Sequence, residues 1–205
     1  MKIELRRENG ELVYSLEGKG ITMRDVVIDA YKKGIRDFSN CNLRACDLKA
    51  CDLSYSNLSH SDLSGSNLSY SDFIACDFSG SNLSGSNLSY SKLIACDLKA
   101  CDLNHSNFIW CDFSGSDLSH SDLSYSDLIS CDFSGCNLSD SNLSHSNLSG
   151  SNLSNSDFIA CDFSGSDLSG SNLSYSDLIA CDFSGSDLSN SKLIACDLRG
   201  SKMSN

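Results

Sequence analysis

Residues 51–80 read CDLSY SNLSH SDLSG SNLSY SDFIA CDFSG, which is six consecutive units of five residues. The pattern continues on both sides, from a unit centred on Phe38 to a unit centred on Met203. The 34 centres, called position i, are all Leu or Phe except the last. Position i−2 is Ser or Cys in every unit after the first, and position i−1 is Asp in 20 units, Asn in 11 and Lys in three.

A period of five fits neither the two-residue repeat of a strand nor the 3.6-residue repeat of a helix. We therefore predict a corner in every unit, so that four units close a square coil of 20 residues. Positions i and i−2 then point inward, where a small residue beside each large one allows close packing. Positions i−1, i+1 and i+2 point outward. At a strand spacing of about 4.8 Å, the array forms about 8.5 coils and a rod about 40 Å long.

The repeat resembles that of the pentapeptide-repeat family, whose units read A-(D/N)-L-x-x. The resemblance covers about residues 36–205, with Ser or Cys in place of Ala at i−2. It implies a mainly β fold, the right-handed quadrilateral β-helix (solenoid) of that family. The alternative, a disordered low-complexity segment, does not require an aliphatic or aromatic residue at every fifth position. We predict two regions, residues 1–36 as an N-terminal cap and residues 37–205 as the β-helix.

The first 36 residues have a different pattern. Alternating apolar residues flank Asn9-Gly10, which predicts a β-hairpin. A helix is expected next, with Thr22 as N-cap, Asp25 as its capping-box partner and Gly34 just past the C-terminus.

The predicted hairpin and helix would cover the open edge of the first coil, as terminal units of solenoids do. A docking module for another protein is the alternative. The final units have no counterpart of this cap, so end-to-end homodimerisation through the last coil is expected.

The twelve cysteines all occupy position i−2, which indicates a packing role as small, free thiols. Only cysteines 20 residues apart can stack on neighbouring coils, and no CxxC motif occurs. We therefore expect no metal site, no cofactor and no structural disulfide. The cysteines are Cys41, Cys46, Cys51, Cys76, Cys96, Cys101, Cys111, Cys131, Cys136, Cys161, Cys181 and Cys196.

The net charge of −12 divides unevenly, because residues 1–36 carry +2 and residues 37–205 carry −14. An acidic rod repels nucleic acid and anionic membranes but attracts basic proteins, including those that normally bind DNA. The sequence has neither an apolar run long enough to cross a membrane nor the apolar core of a secretory signal at its start. We accordingly predict a cytoplasmic protein with an unknown protein partner.

Two outward-facing sets form the predicted interaction face. One is a column of carboxylates on one side of the square, and the other is a column of aromatic residues at 20-residue spacing. Their alternatives are a solubility coat and ordinary surface stacking. The candidate residues are Asp77, Asp97, Asp117, Asp157, Asp177, Asp197, Tyr70, Tyr90 and Trp110.

Two further outward patterns accompany them. His105, Tyr125 and His145 form a second column at 20-residue spacing. Seven i+1 positions carry Ile where most units carry Ser, and they broaden the surface hydrophobically: Ile74, Ile94, Ile109, Ile129, Ile159, Ile179 and Ile194.

No convergent Ser/His/Asp set and no phosphate-binding loop is present, so we predict a non-enzymatic scaffold that presents a rigid acidic rod for protein binding. The alternative is a DNA mimic. The resemblance implies it, because some members of the family inhibit type II topoisomerases such as gyrase and confer quinolone tolerance. Averaged over the rod, the repeat carries about one charge per 3 Å, against one per about 1.7 Å in B-DNA.

Overall fold

The computed structural model describes residues 1–203. It begins with strand β1 (Lys2–Arg6), strand β2 (Leu12–Glu17) and helix α1 (Met23–Lys32). From Asp37 onward the chain forms parallel β-bridges of one residue, each joining a residue to the one 20 positions later. The bridges recur at every fifth residue, from Asp37↔Asn57 to Asp182↔Lys202. Four bridged columns therefore run along the rod, one for each face of a square coil.

The solenoid interior contains the residues that the repeat predicts. Every centre from Phe38 to Phe183 is buried, and so is the Ser or Cys at i−2 in nearly all of these units. Phenylalanines 20 residues apart stack, as Phe113 and Phe133 do with ring centroids 4.7 Å apart. The inward placement of both positions is thus confirmed. The centres become partly exposed after Phe183, and Met203 is 49% exposed. Self-association through this last coil stays a prediction.

The prediction that position i+1 points outward is wrong for many units. Ser59, Ser119 and Ser174 are buried there, and most other i+1 serines are half-buried. The hydroxyl folds back over the corner, as when Ser59 Oγ donates to Asn57 Oδ1 at 2.7 Å. A serine at i+1 therefore belongs to the turn, because its side chain completes the hydrogen bonding of the outward residue at i−1.

Each corner is built on a residue with positive φ at position i+2. Gly80, with φ 66°, has this conformation, and so do alanines such as Ala160 (φ 58°) and the aromatic Trp110 (φ 60°). The next amide donates back to the centre in many units, as Ser81 N does to Phe78 O at 2.9 Å. A positive φ at the third residue is the signature of a type II turn. The left-handed conformation costs a non-glycine residue about 1–2 kcal/mol, so the rod carries repeated local strain.

The N-terminal segment forms the hairpin and helix that its sequence predicts. The strands β1 and β2 pair antiparallel around a turn in which Gly10 has φ 88°. At the start of α1, the amide and hydroxyl of Thr22 both donate to the Asp25 carboxylate, at 2.7 and 2.8 Å. The helix ends with Gly34 at φ 88° and with Ile35 N donating to Ala30 O. No helix among residues 1–203 is long and apolar enough to span a bilayer.

The hairpin and helix both contact the first coils. Arg7 forms an antiparallel bridge with Cys41, and its guanidinium pairs with Asp37 at 2.8 Å. From the helix, Tyr31 Oη donates to Ser54 O at 3.1 Å. The N-terminal segment therefore contacts the first coil through both its hairpin and its helix, and its role as a cap stays a prediction.

Candidate interaction surface

The inward i−2 residues do more than fill space. Ser121 Oγ donates to Leu98 O at 2.6 Å and accepts from the amide of Cys101 at 3.1 Å, so it joins two coils. Cysteines keep the first of these bonds, as Cys101 Sγ does to Phe78 O at 2.9 Å. The interpretation of these thiols as purely hydrophobic fillers is therefore incomplete. Both residue types therefore donate to a corner carbonyl. Within residues 1–203, Leu98 O has the Ser121 hydroxyl as its one donor, whereas Phe78 O also accepts from Ser81 N.

All twelve cysteines are free thiols in the structure. Burial raises the pKa of Cys96, Cys101 and Cys136 to about 12, which keeps these sulfurs protonated at neutral pH. Protonated, enclosed thiols are poor nucleophiles and poor metal ligands. In the part of the chain that is described, no three His, Cys, Asp or Glu side chains come together in an arrangement that could hold a metal ion.

The outward Asp and Asn residues at i−1 share one structural task. Their Oδ1 accepts the amide of the residue two positions later, as Asp77 accepts from Ser79 N at 2.9 Å and Asn82 from Ser84 N at 2.9 Å. Asp and Asn are interchangeable in this turn because both supply the same oxygen. The turn therefore explains why one of the two is present, but it does not explain the choice of charge.

Four aspartates depart from this turn, and each is followed by Ile at i+1. They are Asp72, Asp127, Asp157 and Asp177. Asp72 pairs instead with Lys92 at 3.2 Å, whereas the other three are exposed. No hydrogen bond or ion pair engages the carboxylates of Asp127 and Asp157 within residues 1–203. These two carboxylates are the ones most available to a partner.

The predicted acidic column forms one face of the square, which we call the first face (residues at 20-residue intervals from Asp37). Asp117 lies there among several groups. Burial opposes its ionisation, but hydrogen bonds from Ser119 and the Lys99 ion pair at 3.1 Å outweigh burial and lower the pKa of Asp117. Asp197 pairs with Arg199 at 2.6 Å. The free charge of the first face is therefore smaller than its aspartate count.

The aromatic edge, defined as Tyr70, Tyr90 and Trp110, lies at the corner between the third and fourth faces (columns from Asp47 and Asp52). Tyr70 and Tyr90 stack with centroids 4.9 Å apart, and the Lys49 ammonium lies 5.2 Å from the Tyr70 ring. The fourth face separates this edge from the first face. One flat partner surface cannot cover both predicted sets, so the structure does not bring them together.

The column of His105, Tyr125 and His145 occupies another corner. Its rings stack at 5.2 and 5.0 Å. Each of these three rings therefore stacks on at least one other ring of the column.

The positive charges of the solenoid leave one long stretch of the chain without Lys or Arg. No Lys or Arg occurs between Lys99 and Lys192, and residues 100–191 contain 13 Asp. We call residues 100–191 the acidic zone. Asp117 and Asp182 pair across its borders with Lys99 and Lys202. The zone is visible in the sequence once the charges are plotted by position instead of summed over the repeat.

Several shallow depressions lie on the surface of the described residues. One of about 510 Å³ is lined by Ser64, Ser84 and His105 among others. The hydroxyls of Ser64 and Ser84 donate to Asp62 and Asn82, at 2.7 Å in both cases, as part of the corner turns. Since these serines are held by turn hydrogen bonds, neither is presented to a histidine base.

Solved structures of pentapeptide-repeat proteins resemble this chain at low identity. Rfr23 from the cyanobacterium Cyanothece 51142 is 24% identical with a TM-score of 0.43, over 44% of this chain and 62% of Rfr23. HetL from Nostoc sp. strain PCC 7120, involved in heterocyst differentiation regulation, is 25% identical with a TM-score of 0.36, over 87% of this chain and 96% of HetL. QnrB1, a plasmid-mediated fluoroquinolone resistance protein, is 23% identical with a TM-score of 0.37, over 80% and 92%.

No curated protein matches the sequence. Family models do match it. The model for pentapeptide repeats covers residues 37–69, 136–174 and 166–205, and the model for a pentapeptide repeat region covers residues 66–143. Together they account for the whole solenoid. The chain therefore belongs to the pentapeptide-repeat family of right-handed β-helices.

Proposed function

We propose that this protein is a non-enzymatic scaffold whose acidic zone binds a basic protein. The observation that carries the proposal is that the corner turns do not require the negative charges of this zone. Asn satisfies the corner as well as Asp does, yet the zone between Lys99 and Lys192 carries 13 aspartates and no Lys or Arg. A rigid array of like charges attracts a partner of opposite charge and speeds its association.

The interchangeability of Asp and Asn also supplies the test. Asp112, Asp132, Asp162 and Asp167 all hold corner turns through Oδ1, so their replacement by Asn removes four charges and keeps the turns. The immobilised full chain should retain a basic protein from the native cell at low salt and release it at high salt. The fourfold Asn variant should lose it. Equal recovery by both proteins would contradict the proposal.

A second candidate is a DNA mimic that binds a type II topoisomerase such as gyrase and confers quinolone tolerance. Charge density favours it in the acidic zone. Those 92 residues make about 4.6 coils and about 22 Å of rod at ordinary strand spacing. Of the 13 carboxylates, Asp117 and Asp182 are paired with Lys99 and Lys202. The other eleven amount to about one charge per 2 Å, close to the one per about 1.7 Å of B-DNA. The likeness to QnrB1 is too low to add support.

A supercoiling assay with purified gyrase separates the two candidates. Inhibition at micromolar protein, relieved in the fourfold Asn variant, would support the mimic. Undiminished supercoiling activity would contradict the DNA-mimic hypothesis and leave the scaffold hypothesis. We place both functions in the cytoplasm, on the ground that twelve unpaired thiols suit a reducing compartment. A thiol titration of protein purified from the native cell and then unfolded should detect twelve free thiols.

A further inference from the structure

Trp110 is the only tryptophan of the chain, and it is 58% exposed. It lies one coil beyond Tyr90, its amide donating to Ile129 O at 3.0 Å. Across the described residues, however, its side chain has no ring, cation–π or hydrogen-bond partner. An indole is a large apolar surface with one N–H donor, and such residues are enriched at binding hot spots.

At the other end of the aromatic edge, the rings have partners within the chain. Tyr70 stacks on Tyr90, and the Lys49 ammonium lies over Tyr70. Nearby, Lys92 pairs with Asp72 at 3.2 Å. The chain thus supplies its own cations to the rings and carboxylates at this end. No Lys or Arg follows on the Trp110 side until Lys192.

Unpaired negative charge lies on the coil that follows Trp110. Asp127 is exposed and has no side-chain partner within residues 1–203, and the half-buried Ile129 at i+1 has no hydroxyl that could donate to it. Further along the same corner, the residues are Ser130 and Gly150, both small. Trp110 therefore borders an open corner with an unpaired carboxylate.

We propose that Trp110 and Asp127 bind an arginine-containing segment of a partner protein. A guanidinium stacks on the indole, and a neighbouring cation of the same segment pairs with Asp127, as Lys49 and Lys92 do at the other end. Arginine suits the site because its planar group stacks on aromatic rings and is weakly hydrated. This inference rests on the proposed function, since it names where on the scaffold the basic partner binds.

Trp110 makes the test direct, because all tryptophan emission from the full chain comes from this site. The probe is a synthetic dodecapeptide in which arginine alternates with serine. Its titration should change the emission saturably. The same peptide with citrulline in place of every arginine keeps the shape and removes the charge. It should bind about tenfold more weakly, because both the stacking and the ion pair depend on guanidinium charge.

Variants are compared by the anisotropy of the dye-labelled peptide. Trp110→Ala should weaken binding about fivefold through loss of the cation–π contact. Asp127→Asn should weaken it more than Asp167→Asn, which removes the same charge from the same face. Tyr175→Ala, at an exposed corner elsewhere, is the aromatic control. Alanine occupies many such corners, including Ala75 and Ala95, so the fold should be kept.

A saturable emission change with selective loss in Trp110→Ala and Asp127→Asn supports the site. Equal weakening in all variants, or emission that never saturates, overturns it and indicates general attraction to an acidic rod. The two proposals fail separately. A native partner released by the fourfold Asn variant but retained by Trp110→Ala would keep the scaffold function and reject this site. Peptide binding at Trp110, with no basic partner recovered from the native cell, would keep this site and reject the scaffold function.

Discussion

Replacing Ala160 with glycine should stabilise the protein, although the change deletes a side-chain carbon. Ala160 is an exposed corner residue with φ 58°. An L-residue in this left-handed region crowds its own Cβ against the backbone, whereas glycine adopts it freely. The substitution therefore relieves native-state strain and removes no buried contact.

The magnitude follows from two opposing effects. Relief of the left-handed conformation is worth about 1–2 kcal/mol. Glycine also gives the unfolded chain more freedom, which costs about 0.5–1 kcal/mol. The net gain is about 0.5–1 kcal/mol, and for a chain of this size that raises Tm by about 1–4 °C.

Thermal unfolding followed by circular dichroism measures the shift, with urea unfolding as an independent check. The reverse change, Gly115→Ala, is the matched control, because its φ is +69° and a Cβ there would meet nothing within 4 Å. It should lower Tm by a similar amount. Gly80→Ala should cost more, since its Cβ would approach the His60 ring at 2.5 Å. If Ala160→Gly lowered Tm, or Gly115→Ala raised it, the strain argument for the corners would be wrong.

Three other outcomes are expected. Phe113→Ala should cost about 3–5 kcal/mol in urea unfolding, because the fully buried ring stacks on Phe133 and would leave a cavity. Ser121→Ala should lower the free energy of unfolding by about 1–3 kcal/mol, because it leaves a buried carbonyl and a buried amide without partners. Ser121→Cys should lower it less, since cysteines elsewhere keep the bond to the carbonyl. Equal losses in the two variants would contradict the role of this hydrogen bond. Stability should fall as pH rises from about 9 to about 12, because thiols such as Cys136 ionise near 9 when unfolded but near 12 when folded; an unchanged unfolding free energy across that window would refute it.

The sequence was sufficient for the architecture because the period itself is a geometric constraint. A large apolar residue at every fifth position can be buried throughout only if the chain turns once per unit, and the structure buries every centre from Phe38 to Phe183. The hairpin at Gly10 and the helix start at Thr22 were equally predictable, because local turn and capping chemistry decides them.

Composition and periodicity alone determined that this is a four-sided acidic β-helix with a folded N-terminal segment. Only the tertiary structure decided which surface groups remain without a partner. Asp127 and Asp77 occupy the same repeat position, yet Asp77 closes a turn and Asp127 does not. Tyr90 and Trp110 occupy the same corner, yet only Tyr90 is stacked. The physical reason is that these contacts depend on the neighbour one coil away and on side-chain rotamers, which a five-residue repeat leaves open.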